Sequence, residues 1–217
     1  MTSPSAAAGS DFFTRWSALG LERSDDAWMI GEQPIMYAWE RPLMAAFACE
    51  LCAPDRDLLE IGFGMGVFAA EAQRIGVRRH TIVEPHPEVA SSARDLARRH
   101  QDVEVVEDYW QRATDRLGTY DAIFYDSFSP DETVLEDLGS FFALAAARLL
   151  RPGGCLAFWV PHRTLSEPMQ SLVLEHFDSL TLAPVRGLEP TPECRARGFG
   201  STMLVPVARR PSLRRAS

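Results

Sequence analysis

The sequence predicts a doubly wound, mostly parallel seven-stranded α/β sheet that is preceded by an N-terminal helical arm. Three observations support this fold class. From Asp57 onward, short β-rich runs alternate with helical patterns, which is typical of a parallel sheet covered by helices. The first of these strands runs into a glycine-rich turn that opens a helix. The length of 217 residues suits one domain with an added arm.

Each element follows from its own pattern. Runs of Val, Ile, Leu and Phe predict strands at 57–62, 80–84, 103–107, 121–126, 155–160, 179–185 and 201–208. Apolar residues spaced by three and four predict helices at 68–76, 88–100, 110–117, 138–150 and 166–177. The sequence Arg-Pro-Gly-Gly at 151–154 ends the most apolar of these helices, because proline and glycine stop helices.

The composition divides the chain into four segments: a flexible leader (1–10), an arm that packs onto the sheet domain (11–55), the sheet domain itself (56–208) and a basic flexible tail (209–217). The arm is rich in aromatic residues and methionine, and a helix is predicted to begin near Arg41-Pro42. The N-terminus has neither the charged nor the apolar region of a signal peptide, and no apolar run reaches membrane-spanning length. We therefore expect a cytoplasmic protein without a membrane partner.

The net charge indicates which kinds of ligand the protein can bind. The net charge is −8, which argues against nucleic acid as the main partner and suits a cationic ligand. Cys49 and Cys52 form a C-x-x-C pair, but no second pair of ligands follows. We expect these cysteines to be reduced residues of a helix and predict no metal site.

The glycine-rich turn and an acid on the next strand indicate a nucleotide site. Gly62, Gly64 and Gly66 allow the backbone to turn tightly beside a helix N-terminus. Their spacing lacks the G-x-G-x-x-G order of a dinucleotide site. Glu84 ends the second strand about 20 residues later, where an acid can bind both hydroxyls of a ribose. The alternatives are a simple tight turn and an exposed strand-end acid.

Asp126 ends the apolar run of the fourth strand and needs a partner. Burying a carboxylate costs several kcal/mol unless a cation or a hydrogen-bond donor meets it. That partner is either a ligand or a structural arginine of the protein itself.

Together these features resemble class I S-adenosylmethionine-dependent methyltransferases, which have a Rossmann-like methyltransferase fold. Six motifs narrow the resemblance to the guanidinoacetate N-methyltransferase family: PIMYAWERPLM, LEIGFGMG, VEDYWQ, IFYDSFSPDET, LLRPGG and PECRARGF. They span the chain from Pro34 to Val207, and the W-E-x-P-x-M and Y-D-(S/T) elements are the most specific. The resemblance implies S-adenosyl-L-methionine as cofactor, S-adenosyl-L-homocysteine as product and a small cationic guanidino substrate.

The resemblance also implies site residues. Contacts with the cofactor are implied for Trp16, Met36, Met44, Gly62, Phe63, Gly64, Met65, Gly66, Val67, Glu84, Trp110, Gln111 and Asp126. Glu40 and Asp126 are implied as catalytic residues that hold the substrate. For Glu40 the alternative is a solvated residue before a helix.

The chemistry gives this pair a reason. A guanidinium titrates above about 12, is a poor nucleophile while protonated and repels the positive sulfonium. Two carboxylates can grip its N–H groups, cancel its charge and take the proton as the C–N bond forms. Most of the acceleration would come from positioning the two reactants.

The match fails after the fifth strand, where WVPHRT replaces small polar residues of the family pattern. Arg163 and Thr164 are predicted to bind a carboxylate of the substrate, unless Arg163 is an exposed loop residue. His162 is a weak candidate for a base. Guanidinoacetate, arginine, another guanidino compound or an amine of secondary metabolism all remain open as acceptors, and the protein is predicted to be a monomer or a homodimer.

Three other functions compete with this one. The sequence YDAIFYDSFSP is also similar to the acidic motif of wobble-uridine tRNA methyltransferases, although the acidic body weighs against RNA. An aminopropyltransferase-like enzyme would use the same acid to bind polyamine. A non-catalytic cofactor-binding module is the third, although nothing in the cofactor turn is broken.

Overall fold

The computed structural model describes residues 16–127, 133–161 and 163–211, without the side chains of Arg210 and Pro211. The predicted leader, His162 and residues 212–217 of the predicted tail lie outside this part of the chain.

The arm contains more than the helix that the sequence predicts. A three-stranded antiparallel sheet comes first, made of β1 (Leu21–Arg23), β2 (Ala27–Ile30) and β3 (Gln33–Tyr37). A short 3-10 turn (Ala38–Glu40) leads into α1 (Arg41–Leu51), which begins where the sequence predicts a helix. The strands escape a pattern search because they are short and β3 contains Pro34, which is depleted in strands.

The central sheet has the predicted seven strands. In chain order they are β4 (Asp57–Ile61), β5 (Arg79–Val83), β6 (Val103–Val106), β7 (Tyr120–Tyr125), β8 (Leu150–Phe158), β9 (Phe177–Arg186) and β10 (Thr202–Pro211). Their spatial order is β6-β5-β4-β7-β8-β10-β9. The first five are parallel, while β10 lies antiparallel between β8 and β9. The carboxyl ends of β4, β5 and β7 therefore meet at one edge.

The helices connect and cover the strands. They are α2 (Val67–Ile75), α3 (Pro87–Ala97), α4 (Trp110–Ala113), α5 (Val134–Leu144), α6 (Glu167–His176) and α7 (Pro192–Ala196). A 3-10 turn (Thr114–Arg116) completes the helix predicted at 110–117, and a π-helical turn (Ala145–Leu149) completes the one predicted at 138–150. The short α7 lies between the strands predicted at 179–185 and 201–208, where the sequence predicts no helix.

The core has a layer on each face of the sheet. Leu58 and Leu59 of β4 point to opposite faces, as successive residues of a strand do, and each joins a separate buried cluster. One cluster contains Phe47 of α1 and Phe68 of α2, and both rings pack against Phe124 of β7 at 4.8 and 4.1 Å. The arm helix is thus part of the core.

Several arginines form ion pairs at the amino-terminal edge of the sheet. Asp57 is 1% exposed and binds Arg78, Arg79 and Arg151. These ion pairs hold the pKa of Asp57 well below its usual range. A recess of about 320 Å³ lies at this edge, and its charged lining residues include Asp57 together with Arg79 and Arg151, which both pair with Asp57. This edge therefore offers little unsatisfied charge to a ligand.

The cysteine pair lies on the arm helix, with Cys49 exposed and Cys52 buried at its C-cap, and both are free thiols. Within the residues described, no group of three His, Cys, Asp or Glu side chains is placed to hold a metal ion. The same part of the chain contains no helix with the length and apolar character that crossing a membrane requires.

Candidate active site

The glycine-rich turn lies directly against the end of β7. Gly62 has φ +87°, and a Cβ atom at this position would lie 2.0 Å from the backbone oxygen of Asp126. The Asp126 amide in turn donates a hydrogen bond to the Ile61 carbonyl at 2.9 Å. Glycine is therefore required here twice, by its backbone conformation and by the approach of Asp126.

The arm touches the same turn through Met36. The Met65 amide donates to the Met36 sulfur at 3.4 Å, and that sulfur lies 3.1 Å from the Cβ position of Gly64. Met36 thus lies at the glycine-rich turn. Met44 is only 1% exposed and lies in the core beneath α1, so the structure does not bring it to an open surface.

Glu84 lies at the carboxyl end of β5, beside the turn. Its two carboxyl oxygens accept hydrogen bonds from the amides of Phe63, at 2.9 Å, and His86, at 2.8 Å. Burial raises the pKa of Glu84 to about 7, although both hydrogen bonds oppose the rise. Each oxygen keeps a further lone pair, so the carboxyl can still accept from a ligand.

Near Glu84, residues of the arm meet the loops of the sheet domain. The Trp16 ring packs edge-on against the His86 ring at 5.2 Å, and His86 Nε2 donates to the Leu19 carbonyl at 3.0 Å. Ser17 shares a 2.6 Å hydrogen bond with the hydroxyl of Tyr109. These contacts place Trp16 close to the acid that is predicted to bind ribose.

The turn after β6 carries two other predicted cofactor residues. Trp110 is 7% exposed and packs edge-on against Phe141 in the core, whereas Gln111 is exposed. The preceding Tyr109 is half-buried.

Glu40 is a buried residue, which contradicts the alternative of a solvated one. It is 5% exposed; its Oε1 accepts from the Tyr37 amide at 3.0 Å and its Oε2 from Trp159 Nε1 at 2.9 Å. Burial raises the pKa of Glu40 to about 7 despite these two hydrogen bonds. The bond to Tyr37 also stabilises the 3-10 turn that leads into α1.

Asp126 has no basic partner in the described chain, and no described residue donates a hydrogen bond to its carboxyl group. Burial, reinforced by the charges of Glu40 and Glu60, raises the pKa of Asp126 well above its usual range. The residue nevertheless keeps some accessible surface, through which a ligand can reach it. The alternative of a structural arginine partner is therefore not seen within the described residues.

Glu60 is a fourth acid of this group and was missed in the sequence. It is 1% exposed, and its Oε2 lies 2.8 Å from Nε2 of the fully buried His80. Burial raises the pKa of Glu60 well above its usual range and lowers the pKa of His80 to about 3. Its sequence signal is an acid between apolar residues of one strand, in Leu-Leu-Glu-Ile, and this signal does not show what the acid contacts.

These four acids form what we call the carboxyl cluster: Glu40, Glu60, Glu84 and Asp126. The charge of Glu60 raises the pKa of both Glu84 and Asp126, and the charge of Glu40 raises that of Asp126. No arginine of the described chain contributes to the pKa of any member. Buried acids without a cationic partner are costly, so the cluster favours a positively charged ligand.

A second recess, of about 300 Å³, contains the two residues predicted to bind a substrate carboxylate. It is lined by Arg163, Thr164, Gly198, Gly200, Ser201 and Thr202. Arg163 is an exposed loop residue, as the alternative for it holds. Phe199 lies between the two glycines and packs against Trp159 at 6.2 Å between ring centroids, which connects this recess to the residue that holds Glu40.

The residues present fit S-adenosylmethionine. The glycine-rich turn leads into the N-terminus of α2, Glu84 offers acceptors suited to ribose hydroxyls, and the buried acids of the cluster favour the cationic sulfonium and ammonium groups. This arrangement can hold a cationic methyl donor at the carboxyl edge of the sheet, beside Asp126.

Comparison with known proteins identifies the family of this chain. A family model described as guanidinoacetate N-methyltransferase matches residues 5–164. The curated relative "Protein arginine N-methyltransferase 2" of Eremothecium gossypii is 33% identical over 135 residues, which cover 58% of this chain and 32% of that protein. The chain thus spans about a third of the length of this relative.

Solved structures share the fold. Spermidine synthase from Thermotoga maritima aligns with a TM-score of 0.64 at 13% identity, over 88% of this chain and 72% of that one. SMU.776, solved in complex with S-adenosylhomocysteine, aligns with a TM-score of 0.59 at 13% identity, over 81% of this chain and 50% of that one. At such identities the likeness shows the fold alone.

Proposed function

Because the chain belongs to the guanidinoacetate N-methyltransferase family, we propose that it transfers a methyl group from S-adenosylmethionine to a guanidino nitrogen of a small cationic acceptor. Glu40 and Asp126 hold this acceptor in the proposal. The remaining cluster acids and the glycine-rich turn serve the cofactor.

The observation that carries the proposal is a pair of acids, Glu40 and Asp126, that influence each other and lack a cationic partner in the described chain. Both acids have raised pKa values. A guanidinium placed between them would cancel their negative charge through charge-assisted hydrogen bonds. A neutral acceptor would leave the repulsion in place.

The bound methyl donor supplies an electrophilic methyl group on a positively charged sulfur. Transfer forms a C–N bond, breaks the S–C bond and leaves a neutral thioether, while one proton leaves the attacking nitrogen. Asp126 is the acceptor for this proton, since its raised pKa makes it a stronger base than an exposed aspartate. Glu40 keeps its negative charge and orients the guanidino plane.

We further propose that the recess beside Phe199 receives the far end of the acceptor. Arg163 and Thr164 offer donors for a carboxylate, and Arg163 has no acidic partner among the described residues. This supports an acid longer than guanidinoacetate. The name of the curated relatives adds a second possibility, a guanidino group on a protein-bound arginine.

The cellular setting belongs to the proposal as well. We propose a cytoplasmic enzyme of secondary metabolism, a monomer or homodimer that acts without nucleic acid or a membrane. The net charge of −8 and the free thiols of the described chain support this setting.

Mass spectrometry of methyl transfer tests the proposal directly. The acceptors are guanidinoacetate, arginine, agmatine, free guanidine and an arginine-containing peptide, with putrescine and bulk tRNA as competitors from other classes. We expect transfer to at least one guanidino compound and loss of that transfer in Glu40→Gln. Methylation of tRNA alone, aminopropyl transfer to putrescine from decarboxylated S-adenosylmethionine, or cofactor binding without any transfer would overturn it.

A further inference from the structure

Trp159 is joined to Glu40 although 119 residues separate them in the sequence. Trp159 directly follows β8, whereas Glu40 ends the 3-10 turn of the arm. Its indole N–H donates to Glu40 Oε2 at 2.9 Å, while the Tyr37 amide donates to Oε1 at 3.0 Å. Both carboxyl oxygens of Glu40 therefore accept a hydrogen bond, one from the arm and one from the sheet domain.

A carboxyl group held at both oxygens cannot rotate about its last bond without losing a hydrogen bond. Each carboxyl oxygen of Glu40 accepts one hydrogen bond and keeps another lone pair in the same plane. The plane in which Glu40 can receive a ligand is therefore fixed before the ligand arrives. A fixed plane favours a flat cation with two parallel N–H groups over a compact ammonium, which needs no particular plane.

The surrounding rings offer a matched comparison. Trp159 and Trp39 both pack against Phe199, at 6.2 and 5.6 Å between ring centroids. Trp39, however, donates its indole N–H to the sulfur of Cys194 at 3.4 Å and not to Glu40. Two half-buried tryptophans thus share one aromatic neighbour and differ in whether they hold the acid.

We propose that Trp159 is a positioning residue that sets acceptor specificity, because its indole N–H fixes the plane of the Glu40 carboxyl group for a flat, forked cation. This inference rests on the proposed function, since it concerns the same acceptor site. It adds that the choice of guanidino over amino acceptors depends on a residue that contacts neither reacting atom.

The test compares Trp159→Phe with Trp39→Phe. Both changes keep an aromatic ring and remove an indole N–H. For the best guanidino acceptor, we expect kcat/KM to fall roughly tenfold in Trp159→Phe, as for the loss of a hydrogen bond to a charged group. Inhibition by the amine of matching chain length should change less than about twofold, so discrimination falls. Trp39→Phe should keep the discrimination of the wild type.

A second readout separates positioning from a loss of packing. The Trp159 hydrogen bond lowers the pKa of Glu40, which must be ionised to bind a cation. Removing the bond raises that pKa, so the acid limb of kcat/KM should move to higher pH in Trp159→Phe and stay in place in Trp39→Phe. An unmoved limb, or equal loss of discrimination in both variants, would overturn the inference.

A third measurement does not need turnover. NMR spectroscopy can follow the indole N–H resonance of Trp159, which is assigned by its absence from the spectrum of Trp159→Phe. In the wild-type protein this resonance should shift as the pH passes about 7, and the shift should vanish in Glu40→Gln. If no guanidino compound is methylated but this linkage is present, the proposed function and the specificity claim fail while the contact stands. If guanidino compounds are methylated and the resonance does not titrate, the inference alone fails.

Discussion

The backbone oxygen of Asp126 occupies the space that a side chain on Gly62 would need, 2.0 Å from the Cβ position. The turn that is predicted to hold the cofactor and the acid that is predicted to serve the acceptor are therefore in direct backbone contact. A shift of one displaces the other, so the donor and acceptor sites share one support.

Gly62→Ala should destabilise the protein. The added methyl group meets Asp126 and the backbone has φ +87°, so we expect a loss of about 3 kcal/mol in the free energy of unfolding. Urea denaturation measures it. Gly118→Ala is the control, since nothing lies within 4 Å of its Cβ position and its φ is not in the left-handed region. Equal stability of the two variants would contradict the contact.

Asp126→Asn should separate catalysis from cofactor binding. The amide fits the same space but cannot take a proton, so kcat should fall by roughly 10²–10⁴-fold. Single-turnover kinetics measures the chemical step, and calorimetry should show nearly unchanged affinity for S-adenosylhomocysteine. A near-normal rate would remove Asp126 from the proton transfer.

Glu84→Ala should act on the cofactor instead. It removes the acceptor proposed for the ribose and frees the amides of Phe63 and His86, so we expect roughly 10–100-fold weaker binding of S-adenosylhomocysteine by calorimetry. Glu104→Ala, an exposed acid of β6, is the matched control. Equal affinity in the wild type and in Glu84→Ala would remove Glu84 from the site.

Binding of the methyl donor should release protons from the carboxyl cluster. The pKa values of Glu40 and Glu84 are about 7, so both acids are partly protonated at pH 7 in the free protein. A nearby cation lowers these values, and protons leave. Calorimetry in buffers of different ionisation enthalpy should show a larger release with S-adenosylmethionine than with S-adenosylhomocysteine, which lacks the sulfonium charge. Equal release would mean that the cluster does not sense that charge.

The parallel part of the sheet could be predicted because its signals are local. DLLEI followed by three glycines, and YDAIFY followed by an acid, each identify a strand and its functional end within a few residues. The placement of Asp126 beside Gly62 then follows from the rule that parallel strands end at one edge.

The arm strands, α7 and the partners of the buried acids could not be predicted, because they depend on contacts between segments that are distant in the sequence. The three strands of the arm are too short to show a period, and α7 has only five residues. The partner of Glu40 is Trp159, which lies in the stretch where the family pattern fails, so no resemblance pointed to it. Glu60 was hidden because an acid inside a strand gives no indication of which face it occupies or what it meets.

The arm supplies Glu40 to a site whose other acids come from the sheet domain, and this division has an evolutionary consequence. Substitutions in the segments 34–40 and 159–202 can change what is methylated while the machinery for the methyl donor stays intact. Under the proposed function, related chains with nearly identical glycine-rich turns would then differ in the acceptor that they methylate.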